Sequence, residues 1–141
     1  MPMTNLSENL LALADIPGTT IFTGAQARKG FQLNHCCMSL MKPENRDRFR
    51  ADERAYLEEW KLSPAQREAL LARDYNGMIA LGGNIYFLVK IANTDGISVM
   101  QAVSTMTGLA VDDYAAMMTG GGRSPEGQRS LRANADAQGA A

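Results

Sequence analysis

The chain has 141 residues, of which 45% are hydrophobic and 21% are charged, a composition typical of one globular domain. Its formal net charge is −1, so it lacks the basic surplus with which proteins neutralise nucleic-acid phosphates or anionic lipids. No run of apolar residues approaches the roughly 20 that are needed to cross a bilayer.

Two helices are predicted before residue 42. Leu6, Leu10 and Leu13 recur at helical spacing over residues 4–14, and Pro17-Gly18 follows as a stop signal. Farther along, Thr23 is a candidate N-cap, and Gln26, three residues later, would complete a capping box. The helix that opens there is predicted to run to about residue 41.

Apolar residues cover a wide arc of this second helix, so we expect it to be buried on more than one side. These residues are Ala27, Phe31, Leu33, Cys36, Cys37, Met38, Leu40 and Met41.

The middle of the chain alternates charged and apolar segments. Residues 43–60 are rich in charge but carry spaced aromatic and leucine residues, which predicts a solvated helix or helix pair with one buried edge. Ser63-Pro64 is a start signal for a helix over 64–73. Another helix is predicted from Asp74 to Leu81, with Gly82-Gly83 as its stop.

The most apolar segment is residues 85–92, which Asn84 would cap. Its β-branched and aromatic content favours a strand, but no comparable strand exists to pair with it, so we predict a helix. An element that is apolar on all sides is either central to the core or faces a partner. Two further helices are predicted over 98–107, with Ser98 as N-cap, and over 111–119.

These signals predict an all-α fold: a single compact domain of about six to eight short helices over residues 1–122. Residues 123–141, rich in Gly, Ser, Ala, Asn and Gln, are predicted to form an extended or disordered tail.

The candidate metal ligands and nucleophiles do not make a catalytic site. His35 is the only histidine, whereas a non-haem iron site needs two histidines and a carboxylate. Cys36 and Cys37 follow it directly, but successive residues on a helix point in different directions and cannot converge on one ion or form a dyad. We therefore predict no catalytic residue and no metal site in this chain.

The cysteines and the N-terminus predict a cytoplasmic protein. Adjacent cysteines cannot form a normal structural disulfide with each other, so there is no framework of paired cysteines. Residues 1–17 lack a positive n-region and carry Glu8 and Asp15, which makes them a poor signal peptide.

An ordered set of short segments runs over residues 15 to about 130. The segments are DIPGT at 15–19, ARKG at 27–30, MSLMK at 38–42, ADE at 51–53, LARDYN at 71–76, GGN at 82–84, TDG at 94–96, MTG at 106–108 and GGRSP at 121–125. In this order and spacing the set resembles the alpha (small) subunits of protocatechuate 4,5-dioxygenase, a family of extradiol aromatic ring-opening dioxygenases.

The resemblance implies that a larger beta subunit holds Fe(II) and cleaves protocatechuate with O₂, while this chain packs over its active site as a helical lid. An assembly with two copies of each chain is expected. The segment after the Thr-Asp-Gly turn is implied to approach the substrate, which makes Ser98, Val99 and Met100 the candidate pocket lining. In an alternative interpretation, Val99 and Met100 only pack the last helices.

Two questions of function stay open at this point. Val99 and Met100 stand where the family can carry an aromatic residue. A larger or more hydroxylated substrate, such as gallate, is therefore an alternative. A stand-alone helical interaction module is an alternative function. Under the subunit hypothesis, the expected partner contacts are Tyr86, Phe87 and Arg123.

Overall fold

A computed structural model describes residues 13–123 together with Leu10 and Gly139. The chain divides into two compact units, and the larger is Phe22–Ala116. The second is formed by the residues on either side, of which Leu10, 13–21, 117–123 and Gly139 are described. The predicted tail and most of the predicted helix over 4–14 lie outside the described residues, so the boundary at 122 stays a prediction.

The all-α class is confirmed, since the described residues form helices, turns and no strand. These helices are α1 (Gly24–Lys29), α2 (Phe31–Ser39), α3 (Pro43–Ala51), α4 (Glu53–Glu58), α5 (Pro64–Leu71), α6 (Tyr75–Ala80), α7 (Ile85–Asp95), α8 (Val99–Thr107) and α9 (Val111–Thr119). None of the helices in the described part is long and apolar enough to span a membrane.

Side-chain caps begin most of the helices, as the sequence predicts. The Ser63 and Ser98 side chains form full capping boxes at α5 and α8, and the Asn84 side chain accepts a hydrogen bond from Tyr86 N–H at the start of α7. Thr23 caps α1 by accepting from Gln26 N–H, but the predicted return bond, from Thr23 N–H to the Gln26 side chain, is not formed. The Gln26 side chain donates instead to the carbonyls of Ile79 and Ala80.

The single helix predicted from residue 24 to 41 is wrong, because the chain breaks at Gly30 into α1 and α2. Gly30 lies against Gly82, and a Cβ built on Gly30 would stand 1.7 Å from the Gly82 carbonyl oxygen. Gly82 has a φ of 96°, in the left-handed region that favours glycine. The α1–α2 junction therefore packs directly on the α6–α7 junction, backbone against backbone.

Buried amides surround this glycine contact and fix it. The Asn34 side chain donates to Gly82 O at 3.1 Å and accepts from Asn84 N–H at 2.9 Å. The Gln66 side chain donates to the carbonyls of Lys29 and Leu81, both at 3.0 Å. Buried backbone groups need such partners, and these bonds set the positions of α2 and α7 relative to each other.

The charged segment over 43–60 was predicted to form one helix or a pair of helices. It forms a pair, α3 and α4. Asp52 separates α3 from α4 and caps α4 by accepting from Ala55 N–H. Phe49 and Tyr56, one from each helix, pack edge to face in the core with ring centroids 5.7 Å apart.

Residues 85–92 lie in α7, which confirms that they are helical. α2 and α7 pack against each other at the centre of the core. Its fully buried residues include Leu33, Leu40, Leu88 and Ile91. Cys36 and Cys37 are buried among them as free thiols. Burial, followed by the charge of Glu59, raises the pKa of Cys36 to about 12, which keeps this thiol protonated and unreactive near neutral pH.

Candidate binding surface

The three residues predicted to line a substrate pocket lie at the start of α8. The Ser98 hydroxyl accepts from Gln101 N–H at 3.1 Å, and Gln101 Oε1 accepts from Ser98 N–H at 2.7 Å. Val99 and Met100 come next and are 47% and 48% exposed. The capping box fixes the backbone of this turn. The side chains of Val99 and Met100 remain about half exposed, so packing in the core does not explain why they are apolar.

The residues predicted to contact a partner have different environments. Tyr86, in the first turn of α7, is 79% exposed. Its neighbour Phe87 is half-buried and packs against the core. Arg123 is exposed and belongs to the second unit.

An aromatic groove of about 250 Å³ lies where α1, α2 and the start of α7 meet. Its lining consists of Phe22, Ala27, Phe31, Asn34, His35, Asn84 and Phe87. The Phe31 and His35 rings stack with their centroids 4.2 Å apart and their planes tilted by 36°. From the sequence, His35 was a candidate only for a metal site or a dyad with a cysteine, and its place in an aromatic groove was not predicted.

The expectation that α2 is buried on more than one side is wrong. Leu33, Cys36, Cys37 and Leu40 point into the core, whereas Phe31, His35, Met38 and Met41 are all exposed. These four are spaced at i, i+4, i+7 and i+10, which places them on one side of the helix and its last turn. We call them the outer face of α2. Their spacing was visible in the sequence, but it could not show which arc would face the core.

A second groove, of about 400 Å³, lies at the C-terminal end of the outer face of α2. It is lined by Leu40, Met41, Arg46, Lys90 and Asn93. Arg46 Nη1 donates to the carbonyls of Leu40 and Met41 at 3.0 and 2.9 Å, so the guanidinium satisfies carbonyls at the end of α2 and is held in place. We call this the cationic groove, because its two charged lining residues are both basic.

Metal ligands are not clustered in the part of the chain that the structure describes: no three His, Cys, Asp or Glu side chains there lie close enough to hold an ion. The aromatic groove and the cationic groove are lined by apolar, aromatic, amide and basic side chains.

Comparison with known proteins decides the family. Residues 33–119, more than half of the chain, match the family model described as "Aromatic-ring-opening dioxygenase LigAB, LigA subunit". The chain belongs to this family. The matched region runs from α2 to the end of α9 and includes the outer face from His35 onward, the cationic groove and the first turn of α8.

This LigA-family chain is also similar to a curated protein, a gallate dioxygenase from Pseudomonas putida, with 26% identity over 110 residues. The alignment covers 78% of this chain and 32% of that protein, so the chain spans about a third of the length of its relative. The resemblance to an extradiol dioxygenase small-subunit family is thus confirmed. The assignments of Ser98, Val99 and Met100 to a pocket, and of Tyr86, Phe87 and Arg123 to a partner contact, stay predictions.

Proposed function

We propose that this chain is the non-iron small subunit of an extradiol dioxygenase and covers the active site of a larger catalytic subunit. The observation that carries the proposal is the match of residues 33–119 to the LigA-subunit family. The exposed apolar residues of α2 and α8 support it, because exposed apolar residues that lie together commonly mark contact surfaces. In this proposal the chain supplies no catalytic residue and no metal ligand.

The iron would be Fe(II) bound by the catalytic subunit, and it would supply the activation of O₂. Both oxygen atoms are added to the catechol as the bond beside its hydroxyl pair is opened, so protocatechuate gives 4-carboxy-2-hydroxymuconate semialdehyde. This chain contributes the wall around the substrate. Val99 and Met100 would exclude water from the pocket, while the Ser98 capping box holds the turn that carries them.

Protocatechuate is the proposed substrate, and gallate is a second candidate that a specific observation favours. The curated relative is named a gallate dioxygenase, at 26% identity. Val99 and Met100 are less bulky than an aromatic residue, which would leave room for the additional hydroxyl group of gallate. Residue size in this turn would then select between the two substrates.

The proposed partner contacts are Tyr86, Phe87 and Arg123, in an assembly of two small and two catalytic subunits in the cytoplasm. Tyr86 supports this assignment most strongly, because a tyrosine that is 79% exposed gains more contact area from a partner than from its own fold. The rival function, a stand-alone helical interaction module, predicts no binding to a dioxygenase subunit.

The test is to purify the chain alone and together with a candidate catalytic chain, for which the proposal predicts a larger, His- and Glu-rich product of a neighbouring reading frame. Alone, it should contain no stoichiometric iron and should not cleave protocatechuate. With the catalytic chain it should form a stable complex that turns protocatechuate into the yellow ring-fission product. Iron or ring cleavage in the isolated chain would overturn the proposal, and failure to form a complex would favour the stand-alone module.

A further inference from the structure

We propose that the outer face of α2 and the cationic groove at its end form one contact surface for the catalytic subunit. The segment that binds there is apolar and carries a carboxylate that meets Arg46 and Lys90. This inference rests on the proposed function for the identity of the partner, and it adds the surface and the chemistry of the segment that covers it.

Folding of the larger unit leaves the outer face of α2 uncovered. Phe31 is 53% exposed, Met38 37% and Met41 56%, although the opposite side of the same helix is fully buried. A helix that is apolar on both sides normally has both sides covered. Phenylalanine and methionine are also enriched at the centres of protein interfaces, where methionine adapts to the shape of its partner.

Hydrogen bonds hold both ends of the surface in place before any partner binds. At the N-terminal end of α2, Asn34 is tied to Gly82 and Asn84. At the other end, Arg46 is tied to the carbonyls of Leu40 and Met41. A surface that is already ordered loses little conformational entropy on binding, which favours a stable contact.

The positive charge of the cationic groove favours a carboxylate at one end of the partner segment. Ion pairs within the described residues use the cations Arg48, Arg50 and Arg73, so Arg46 and Lys90 are not neutralised there. Asn93 adds an amide to the same groove. A carboxylate placed between the two cations would be recognised by charge-assisted hydrogen bonds, and it would set the orientation of the segment along α2.

A second copy of this chain fits the surface less well than a different partner. None of the residues that form the outer face or line its two grooves is acidic. Two copies that paired through this surface would therefore bring no carboxylate to either cationic groove.

The experiment measures the affinity of the full chain for the catalytic subunit by calorimetry, with the wild type and three variants. Met38→Lys places a charge at the centre of the outer face and should weaken binding by roughly tenfold or more. Lys90→Glu should also weaken it and should reduce its dependence on salt. Met118→Lys is the matched control, because Met118 is 53% exposed but lies on α9 and should bind like the wild type.

The outcomes separate this inference from the proposed function. If the wild type does not bind the catalytic subunit, the proposed function fails and the inference fails with it. If the wild type binds and both Met38→Lys and Lys90→Glu bind equally well, the surface is wrong while the function stands. Self-association of the wild type that Met38→Lys abolishes would also overturn the inference. Equal circular dichroism and melting temperatures show that the variants are folded.

Discussion

Gly30 packs so closely on Gly82 that a single methyl group at Gly30 would stand 1.7 Å from the Gly82 carbonyl oxygen. The two glycines join the α1–α2 junction to the α6–α7 junction, and thereby hold the two helices that form the centre of the core. The orientation of the outer face of α2 depends on this contact.

Gly30→Ala should destabilise the protein strongly. The added Cβ meets backbone rather than a flexible side chain, so the junctions must move apart and Asn34 loses its partners. We expect the free energy of unfolding to fall by about 3 kcal/mol or more. Urea denaturation measures this change. Gly24→Ala is the control, since its Cβ would meet only Arg28 Nη1, at 3.8 Å; a loss as large as that of Gly30→Ala would contradict the account.

Arg73 is the central cation of the least exposed ion-pair network in the described residues. It lies between Glu53 and Asp95, at 2.6 and 2.7 Å, over the Phe49 ring. Arg73→Ala would leave the two partly buried carboxylates without their shared cation, so it should lower stability by about 2 kcal/mol.

Arg48→Ala is the comparison for this prediction, because its ion pair with Glu59 is about half exposed. It should change the free energy of unfolding by less than about 1 kcal/mol, since exposed pairs contribute little. Melting temperatures of the two variants rank them directly. An equal loss of unfolding free energy in the two variants would mean that burial does not make the Arg73 network more stabilising than the exposed pair.

Stability should decline above about pH 9. The pKa of Cys36 is raised from 9.0 to about 12, by burial first and then by Glu59. A group whose pKa is higher in the folded state stabilises the protein fully at a pH below its unfolded-state pKa. This stabilisation is lost as the pH rises from the unfolded-state pKa to the folded-state pKa. The pKa of Tyr75, raised from 10.0 to about 12 by burial and then by Asp95, acts in the same direction.

Urea unfolding under reducing conditions, at about pH 8 and about pH 10.5, measures this decline. Cys36→Ala should show a smaller decline than the wild type, whatever its stability at pH 8. An identical pH dependence in the variant would show that Cys36 is not responsible.

Val99→Phe should shift the complex towards protocatechuate and away from gallate. The larger ring narrows the proposed pocket at a residue that is 47% exposed in the chain alone. We expect the ratio of kcat/KM for the two substrates to change by roughly tenfold. Thr105→Phe, at an exposed position later in α8, is the control and should leave the ratio unchanged. No change in Val99→Phe would remove this residue from the pocket.

Local signals in the sequence predicted much of the fold. Caps such as Ser63 and Ser98 act through bonds to residues three positions away, so short spacing was enough to find them. Residues 85–92 were predicted as a helix because a lone strand would leave its backbone unpaired. The break at Gly30 could not be predicted, because its cause is Gly82, which is 52 positions away in the chain.

The candidate surface was only partly accessible to sequence reasoning. Phe31 and Met38 are as apolar as the buried residues Leu33 and Leu40. Residue type alone therefore cannot distinguish a core residue from one that contacts a partner. The cationic groove brings Arg46 next to Lys90 only through the packing of α2, α3 and α7. Val99 and Met100 were predicted to line a pocket from the family resemblance rather than from any physical pattern.

The central claim is that this chain covers an active site that belongs to another subunit. The most direct test adds the purified chain stepwise to a fixed amount of the iron-loaded catalytic subunit and follows ring fission of protocatechuate. The account predicts that the rate rises with each addition and saturates at one chain per catalytic subunit. A rate that stays unchanged throughout the titration would contradict it.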